Sequence, residues 1–100
     1  MRTAAKVDAN HDQIASVFRA AGFSVQSLAT VGKGCPDLMC AINGHTFCVE
    51  VKDASQPPSK RRFTPFQRKW HASWKGRAHV VESVEQALLL IQLYRQARVA

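Results

Sequence analysis

The sequence contains no run of about 18 apolar residues, the length needed to cross a bilayer as a helix. Met1 and Arg2 are not followed by the apolar segment of a secretion signal. We therefore expect no membrane-spanning segment and a cytoplasmic location. Internal repeats and low-complexity tracts are also absent, which excludes solenoids and biased linkers.

Cysteine is scarce and irregularly spaced. Cys35, Cys40 and Cys48 cannot all pair within one chain, and they contain no Cys-x-x-Cys spacing. The spacing argues against a zinc site. Without a secretion signal, the three cysteines are predicted to be free thiols in a reducing compartment.

Acidic residues are few compared with basic ones. Seven Asp and Glu stand against fourteen Lys and Arg, which gives a formal net charge of +7. This excess favours an anionic partner, with nucleic acid the first candidate and an acidic membrane surface the second. A chain of 100 residues with 46% hydrophobic and 21% charged residues is otherwise typical of one globular domain, here spanning 1–100.

Hydrophobic periodicity and turn signals predict the element order αβββαβα, an α/β fold with helices packed on a small mixed sheet. A glycine-rich loop at 31–36 and a polar basic loop at 53–63 connect these elements. The predicted helices span 8–21, 65–75 and 84–96, and the predicted strands span 23–28, 37–42, 45–52 and 79–82.

The Asn43-Gly44 pair predicts a two-residue hairpin turn. In the register set by that turn, Asp37 lies opposite Glu50, with Cβ atoms about 4.5–5.5 Å apart. Lys52 shares this face, because side chains alternate along a strand. The other face carries the predicted core residues of the hairpin, namely Leu38, Cys40, Ile42, Phe47, Val49 and Val51.

Two opposed carboxylates repel each other and need a compensating charge. That charge is supplied either by Lys52 or by a divalent cation, since Mg²⁺ is typically held by one or two carboxylates and water. The alternative is structural: Asp37 ends a turn, and Glu50 and Lys52 form a surface ion pair on an edge strand. We favour the metal site, because all three residues occur in register inside otherwise apolar strands.

These residues form a recognisable pattern. Pro36-Asp37 followed by Glu50-Val51-Lys52 resembles the PD-(D/E)xK motif of restriction-endonuclease-like nucleases. The Gly-x-Gly-Cys-Pro-Asp-Leu loop, the segment 63–67 and the segment 80–88 are similar to the VRR-NUC (virus-type replication-repair nuclease) branch. The resemblance covers roughly residues 8–91.

The resemblance implies a restriction-endonuclease-like fold and Mg²⁺- or Mn²⁺-dependent hydrolysis of DNA phosphodiester bonds. It implies that Asp37, Glu50 and the backbone carbonyl of Val51 are metal ligands. It also implies that Lys52 positions or activates the attacking water and stabilises the developing charge. Stand-alone members resemble Holliday-junction resolvases and act as homodimers on branched DNA, so we expect a homodimer with junction or flap DNA as substrate.

Relatives often carry an acidic or amide residue on the first helix, facing the site. Here His11 occupies that place, on the same stripe as Ile14 and Phe18. Asp8 and Asp12 lie on the adjacent stripe, and Asp8 is equally well explained as the helix N-cap. Which of these residues completes the site stays open.

Gln67 has two roles open to it. With Thr64 as N-cap and Pro65 at the first helical position, Gln67 completes a capping box. The resemblance also places Gln67 near the active site, and the two roles are compatible.

Half of all the cations lie within the acid-free segment 60–77. Such a segment repels itself unless a polyanion is near. We predict that it binds backbone phosphates, which gives affinity and salt dependence with little sequence preference. The predicted DNA-binding residues are Lys33, Lys60, Arg61, Arg62, Arg68 and Lys69.

Two apolar helix patterns remain. Phe66, Trp70 and Trp74 recur at i, i+4 and i+8, which favours a core stripe over a base-stacking surface. The last helix has more apolar positions than one core stripe requires. Its core stripe is predicted to be Val84, Ala87, Leu88 and Ile91, and the surplus Leu89, Leu90 and Leu93 are predicted to bury against a second copy.

Together these patterns predict a small metal-dependent DNA endonuclease. The alternative is a non-catalytic basic module that binds nucleic acid, and a third candidate is an interaction protein with an acidic partner. The opposed carboxylates favour the enzyme, because a pure binder has no use for them beside phosphates.

Overall fold

The computed structural model describes residues 10–98, which form eight elements in the order αβββααβα. None of the helices within 10–98 has the length and apolar character needed to cross a bilayer. The predicted first turn of the first helix, including Asp8, lies outside the described residues. The elements are α1 (His11–Ala20), β1 (Ser24–Ser27), β2 (Leu38–Ile42), β3 (His45–Val51), α2 (Pro58–Arg61), α3 (Pro65–Ser73), β4 (Ala78–Val81) and α4 (Val84–Gln96).

The structure adds one element, α2, to the predicted order αβββαβα. This single turn lies in the segment 53–63 that was predicted to be a loop. Pro58 favours helix initiation because its φ is already helical. At the other end, Arg61 Nε donates to the Gln56 carbonyl at 2.9 Å. One turn is too short to show a helical period in the sequence.

The four strands form one mixed sheet, as the sequence predicted, and their order in the sheet is β1-β2-β3-β4. The β1–β2 and β2–β3 pairs are antiparallel, and the β3–β4 pair is parallel. Asn43 and Gly44 have φ values of +53° and +81°, which is the backbone of the predicted hairpin turn. The predicted register is confirmed, and strand β3 is an inner strand of the sheet.

Helices α1 and α4 cover one face of the sheet and enclose the core. Phe47 on β3 stacks on Tyr94 of α4 with ring centroids 4.0 Å apart, and it also contacts Phe18 of α1 at 6.0 Å. On the predicted core face of the hairpin, Ile42 is partly buried and the rest are fully buried. The described cysteines are free, and burial raises the pKa of Cys40 to about 12, so its thiol stays protonated.

The last helix differs from its predicted stripe at two positions. Leu90 packs against the core, whereas Leu88 is exposed. An ideal helical wheel places these residues 200° apart, and the direction in which α4 meets α1 decides between them. The packing direction of α4 is a tertiary property, and the hydrophobic period of the sequence does not predict it.

The aromatic residues of α3 do not form the predicted core stripe. No residue of α3 is fully buried, and Phe66 and Trp74 are 65% and 48% exposed. The reason is that α1 and α4 already fill the core face of the sheet. Helix α3 also ends at Ser73 rather than at residue 75, because Trp74 adopts an extended backbone.

We expect Phe18→Ala to destabilise the domain by about 3–5 kcal/mol, because the fully buried ring leaves a cavity among Phe23 and Phe47. Gln13→Ala, at an exposed position of α1, is the control and should change the free energy of unfolding by less than about 0.5 kcal/mol. Urea unfolding followed by circular dichroism measures both. Equal effects would contradict the assignment of the core to the α1–α4 face.

Candidate active site

Glu50 and Lys52 form a buried ion pair on the sheet face opposite the core. Glu50 is 3% exposed and Lys52 is 6% exposed, and Lys52 Nζ lies 3.6 Å from Glu50 Oε2. Because β3 has a neighbour on each side, the alternative of a surface ion pair on an edge strand is wrong. Burying two charges removes both from water, so the pair requires further polar partners.

Gln67 of α3 supplies those partners. Its Nε2 donates to Glu50 Oε2 at 3.1 Å, and its Oε1 accepts from Lys52 Nζ at 2.9 Å. The same oxygen accepts from the Thr64 backbone N at 2.9 Å, while Thr64 Oγ1 accepts from the Gln67 backbone N at 3.1 Å. The capping box and the contact with the predicted site are therefore both present. One amide fixes the first turn of α3 and joins the two buried charges.

The glycine-rich loop packs directly on this first turn. Gly34 has φ +82°, and a Cβ atom there would lie 2.2 Å from the Phe66 carbonyl oxygen and 2.7 Å from the Gln67 nitrogen. Only glycine permits this approach. Gly32, in the same loop, has a similar φ of +78° but nothing within 4 Å of its ideal Cβ position. Gly34 therefore helps to place Gln67 over the sheet.

Asp37 is held against β3, although the strand ladder ends one pair short of it. The last pair is Leu38–Val49, so the predicted Asp37–Glu50 pairing is not part of the regular ladder. Asp37 Oδ2 instead accepts a hydrogen bond from the Val51 backbone N at 2.7 Å. Its backbone carbonyl accepts from the Leu28 N at 2.7 Å. These two bonds fix the Asp37 carboxylate beside the residue that follows Glu50.

The Cys35 thiol lies within electrostatic range of the carboxylates of both Glu50 and Asp37. Burial raises the pKa of the Cys35 thiol, and the negative charges of Glu50 and then Asp37 raise it further. Both carboxylates therefore lie within electrostatic range of one thiol. Cys35 was predicted only to be a free thiol, although its place two residues before Asp37 was a signal for this proximity.

The donor chemistry of the site fits one kind of cation. Within residues 10–98 no group of three or more His, Cys, Asp or Glu side chains is arranged to hold a metal ion. A closed zinc site is therefore a poor fit. Mg²⁺ needs fewer protein ligands, because it keeps several waters and binds through one or two carboxylates and substrate phosphates. Asp37 and Glu50 match that requirement.

The start of α1 is attached to the end of the strand that carries the site. Asn10 Nδ2 donates to the carbonyls of Lys52 at 2.8 Å and Glu82 at 3.1 Å. No local sequence pattern predicts this contact, because both acceptors are backbone groups far away in the chain. Asn10 thus ties α1 to the ends of β3 and β4.

His11 lies on the buried face of α1, as predicted. Its Nδ1 is 3.3 Å from Asp12 Oδ1, and its Nε2 is buried with no hydrogen-bond partner among residues 10–98. No described hydrogen bond connects His11 to Asp37, Glu50 or Lys52. The other first-helix candidate, Asp8, lies outside the described residues.

Two stacked aromatic rings, Phe63 and His71, lie near Lys52. Lys52 Nζ lies 6.0 Å from the centroid of the Phe63 ring, which stacks on His71 at 4.4 Å. Burial lowers the pKa of His71, and the nearby Lys52 charge lowers it further, which favours the neutral imidazole. Neither ring was predicted to contact Lys52, because Phe63 was placed at the end of a loop. Their contact with Lys52 depends on how that segment folds back on the sheet.

The predicted DNA-binding cations separate into two kinds. Arg61 is half-buried, and its Nη1 donates to Glu82 Oε2 at 3.0 Å, so it holds α2 against the end of β4. The other predicted cations are exposed and leave their charges available to a ligand. These exposed residues are Lys33, Lys60, Arg62, Arg68 and Lys69.

Comparison with known proteins identifies a similar solved structure. A scan against protein-family models and a search of curated protein sequences found no match. A solved structure described as "VRR_NUC domain" is 30% identical in sequence, with a TM-score of 0.65. The similarity covers 87% of this chain and 96% of that chain.

We expect Gly34→Ala to lower both the melting temperature and the activity of the site more than Gly32→Ala does. Both changes place a side chain at a positive φ, which costs about 1 kcal/mol. Only Gly34→Ala also forces the loop away from the Phe66–Gln67 peptide. Thermal unfolding of the two variants measures the difference, and equal melting temperatures would contradict the packing of this loop on α3.

Proposed function

This chain belongs to the VRR-NUC family of nuclease domains, and from that premise we propose that it is a metal-dependent DNA endonuclease. The observation that carries the proposal is the buried Glu50–Lys52 pair, joined by Gln67 and adjacent to Asp37. Burying a charged pair in so small a domain costs folding free energy, so its presence indicates a role other than stability. Hydrolysis of phosphodiester bonds is that purpose.

In this proposal Asp37, Glu50 and the backbone carbonyl of Val51 hold Mg²⁺ or Mn²⁺. Such a cation lowers the pKa of bound water and neutralises charge on the scissile phosphate. Asp37 is prepared for this role, because the Val51 N–H fixes the direction of its carboxylate. Glu50 is oriented by the donor group of Gln67.

Lys52 is the proposed group that positions the attacking water and stabilises charge on the phosphate. Its ammonium is held between Glu50 and Gln67, so it does not have to be ordered when substrate binds. The Phe63 ring shields it from water on one side, which strengthens its electrostatic effect. Gln67 acts as a positioning residue in this arrangement, and His11 and Asp8 stay as candidates for completing the site from the first helix.

The exposed cations are proposed to hold the DNA backbone. Contacts with phosphates give affinity that falls with salt, and they carry little information on base sequence. Selection among substrates would then depend on DNA shape. We propose branched DNA, such as four-way junctions or flaps, as the substrate class.

We expect cleavage of labelled linear, flapped and four-way-junction DNA in Mg²⁺ or Mn²⁺ and none in EDTA. Asp37→Asn, Glu50→Gln and Lys52→Met should each lower the cleavage rate about 100-fold or more, because each removes a charge that acts on the scissile phosphate. Gel analysis of the products measures this.

Glu85→Gln, a change at an exposed acid of α4, is the matched control and should cleave at the wild-type rate. Circular dichroism of every variant separates loss of chemistry from loss of fold. Cleavage that survives EDTA and all three site changes would overturn the proposal. DNA binding without cleavage of any substrate would favour the non-catalytic binding module.

A homodimer is proposed as the active assembly. Leu89 and Leu93 of α4, which were predicted to meet a second copy, are exposed together with Leu88. A two-fold dimer would bury the same apolar patch on both copies and place two sites on one branched substrate.

We expect sedimentation velocity at micromolar protein to show a dimer. Leu89→Glu should shift the population to monomer, because two carboxylates would meet across the two-fold axis. Glu85→Gln, on the same helix, should stay dimeric. A wild-type monomer under these conditions would contradict the dimer and leave the nuclease proposal standing.

A further inference from the structure

An exposed aromatic residue directly precedes Gln67 in the chain and has no role in the chemistry described so far. Phe66 is 65% exposed and directly precedes Gln67, whose amide bridges Glu50 and Lys52. The Phe66 backbone is fixed by the close approach of Gly34 and by the capping box at Thr64. The ring is therefore carried on a rigid turn at the edge of the site.

Two further rings follow Phe66 along the chain: Trp70 lies in α3, and Trp74 is the residue directly after the end of α3. Trp74 is 48% exposed and stacks on Trp70 with centroids 4.6 Å apart and planes 17° from parallel. We call Phe66, Trp70 and Trp74 the aromatic stripe. Large rings exposed to water, such as those of Phe66 and Trp74, are unfavourable, so their presence points to a ligand with an apolar, planar surface.

The charge around the aromatic stripe selects the kind of ligand. The segment 60–77 contains seven cations and no acid. Lys33 precedes Gly34, which contacts Phe66, while Arg68 and Lys69 lie within three residues of Phe66 on the same helix. A ligand that combines planar rings with regular negative charge fits this surface, and a second copy of so basic a surface does not.

Single-stranded nucleic acid has that combination, because its bases expose their faces and its phosphates are charged. Duplex DNA offers the same phosphates but keeps its base faces stacked on each other. We propose that Phe66 stacks on an unpaired base next to the scissile phosphate, and that this contact directs the nuclease to strands with unpaired nucleotides. This inference rests on the proposed function and deepens it by naming the feature that is recognised.

The test measures binding in EDTA, so that it does not depend on cleavage. The probes are a flap that carries 2-aminopurine at its unpaired branch nucleotide and a blunt duplex of equal length. Wild-type protein should quench the 2-aminopurine fluorescence through stacking and bind the flap more tightly than the duplex. Phe66→Ala should lose the quenching and weaken flap binding about tenfold, while duplex affinity stays within about twofold of wild type.

Phe66→Trp should retain both the quenching and the flap preference, since it keeps a stacking face. Gln13→Ala, which truncates an exposed side chain of α1 to which no role is assigned, is the control and should behave as wild type. Phe66 is on the surface, so an unchanged melting temperature for Phe66→Ala confirms that the fold is intact.

The inference is overturned if Phe66→Ala binds the flap as tightly as wild type does, or if it weakens flap and duplex binding equally. Stacking without cleavage in Mg²⁺ or Mn²⁺ would support this inference while contradicting the proposed nuclease. Wild-type protein that binds neither probe would contradict both.

Discussion

A carboxylate and an ammonium buried together must each keep polar partners, and the arrangement of this domain depends on that requirement. Glu50 and Lys52 meet it through each other and through Gln67. Gln67 reaches them only because α3 begins at Thr64 and lies close against the loop at Gly34. Strand pairing, helix capping and loop packing therefore converge on the same two charges. The fold places them together on the sheet face opposite the core, with Asp37 held against the same strand.

The hydrophobic core and the candidate active site lie on opposite faces of the sheet. On one face Phe47 packs between α1 and α4, and this apolar layer supplies most of the burial that a small domain needs. On the other face, Gln67 of α3 contacts the charged pair, and the glycine-rich loop packs on the first turn of α3. Because strand residues alternate, the inner strand β3 serves both faces at once: Val49 and Val51 enter the core while Glu50 faces the site.

Features that depend on neighbours in the chain were predictable, and features that depend on tertiary packing were not. The Asn43-Gly44 turn fixes the hairpin register, and the register places Glu50 and Lys52 on one face. The capping box at Thr64 is likewise local. By contrast, the exposure of Phe66 depends on which helices pack on the core face of the sheet. The contacts of Asn10 with two distant carbonyls leave no trace in any local pattern.

The double duty of Gln67 has a consequence for which residues this position tolerates. A glutamate would keep an oxygen for Thr64 and Lys52, but it would lose the donor to Glu50 and place a second negative charge beside it. A lysine would place a second positive charge beside Lys52. An alanine would remove the amide that bonds to Thr64, Glu50 and Lys52. The helix start and the charged pair both depend on the same side chain. A replacement that only caps the helix would therefore leave the charged pair without its polar partner.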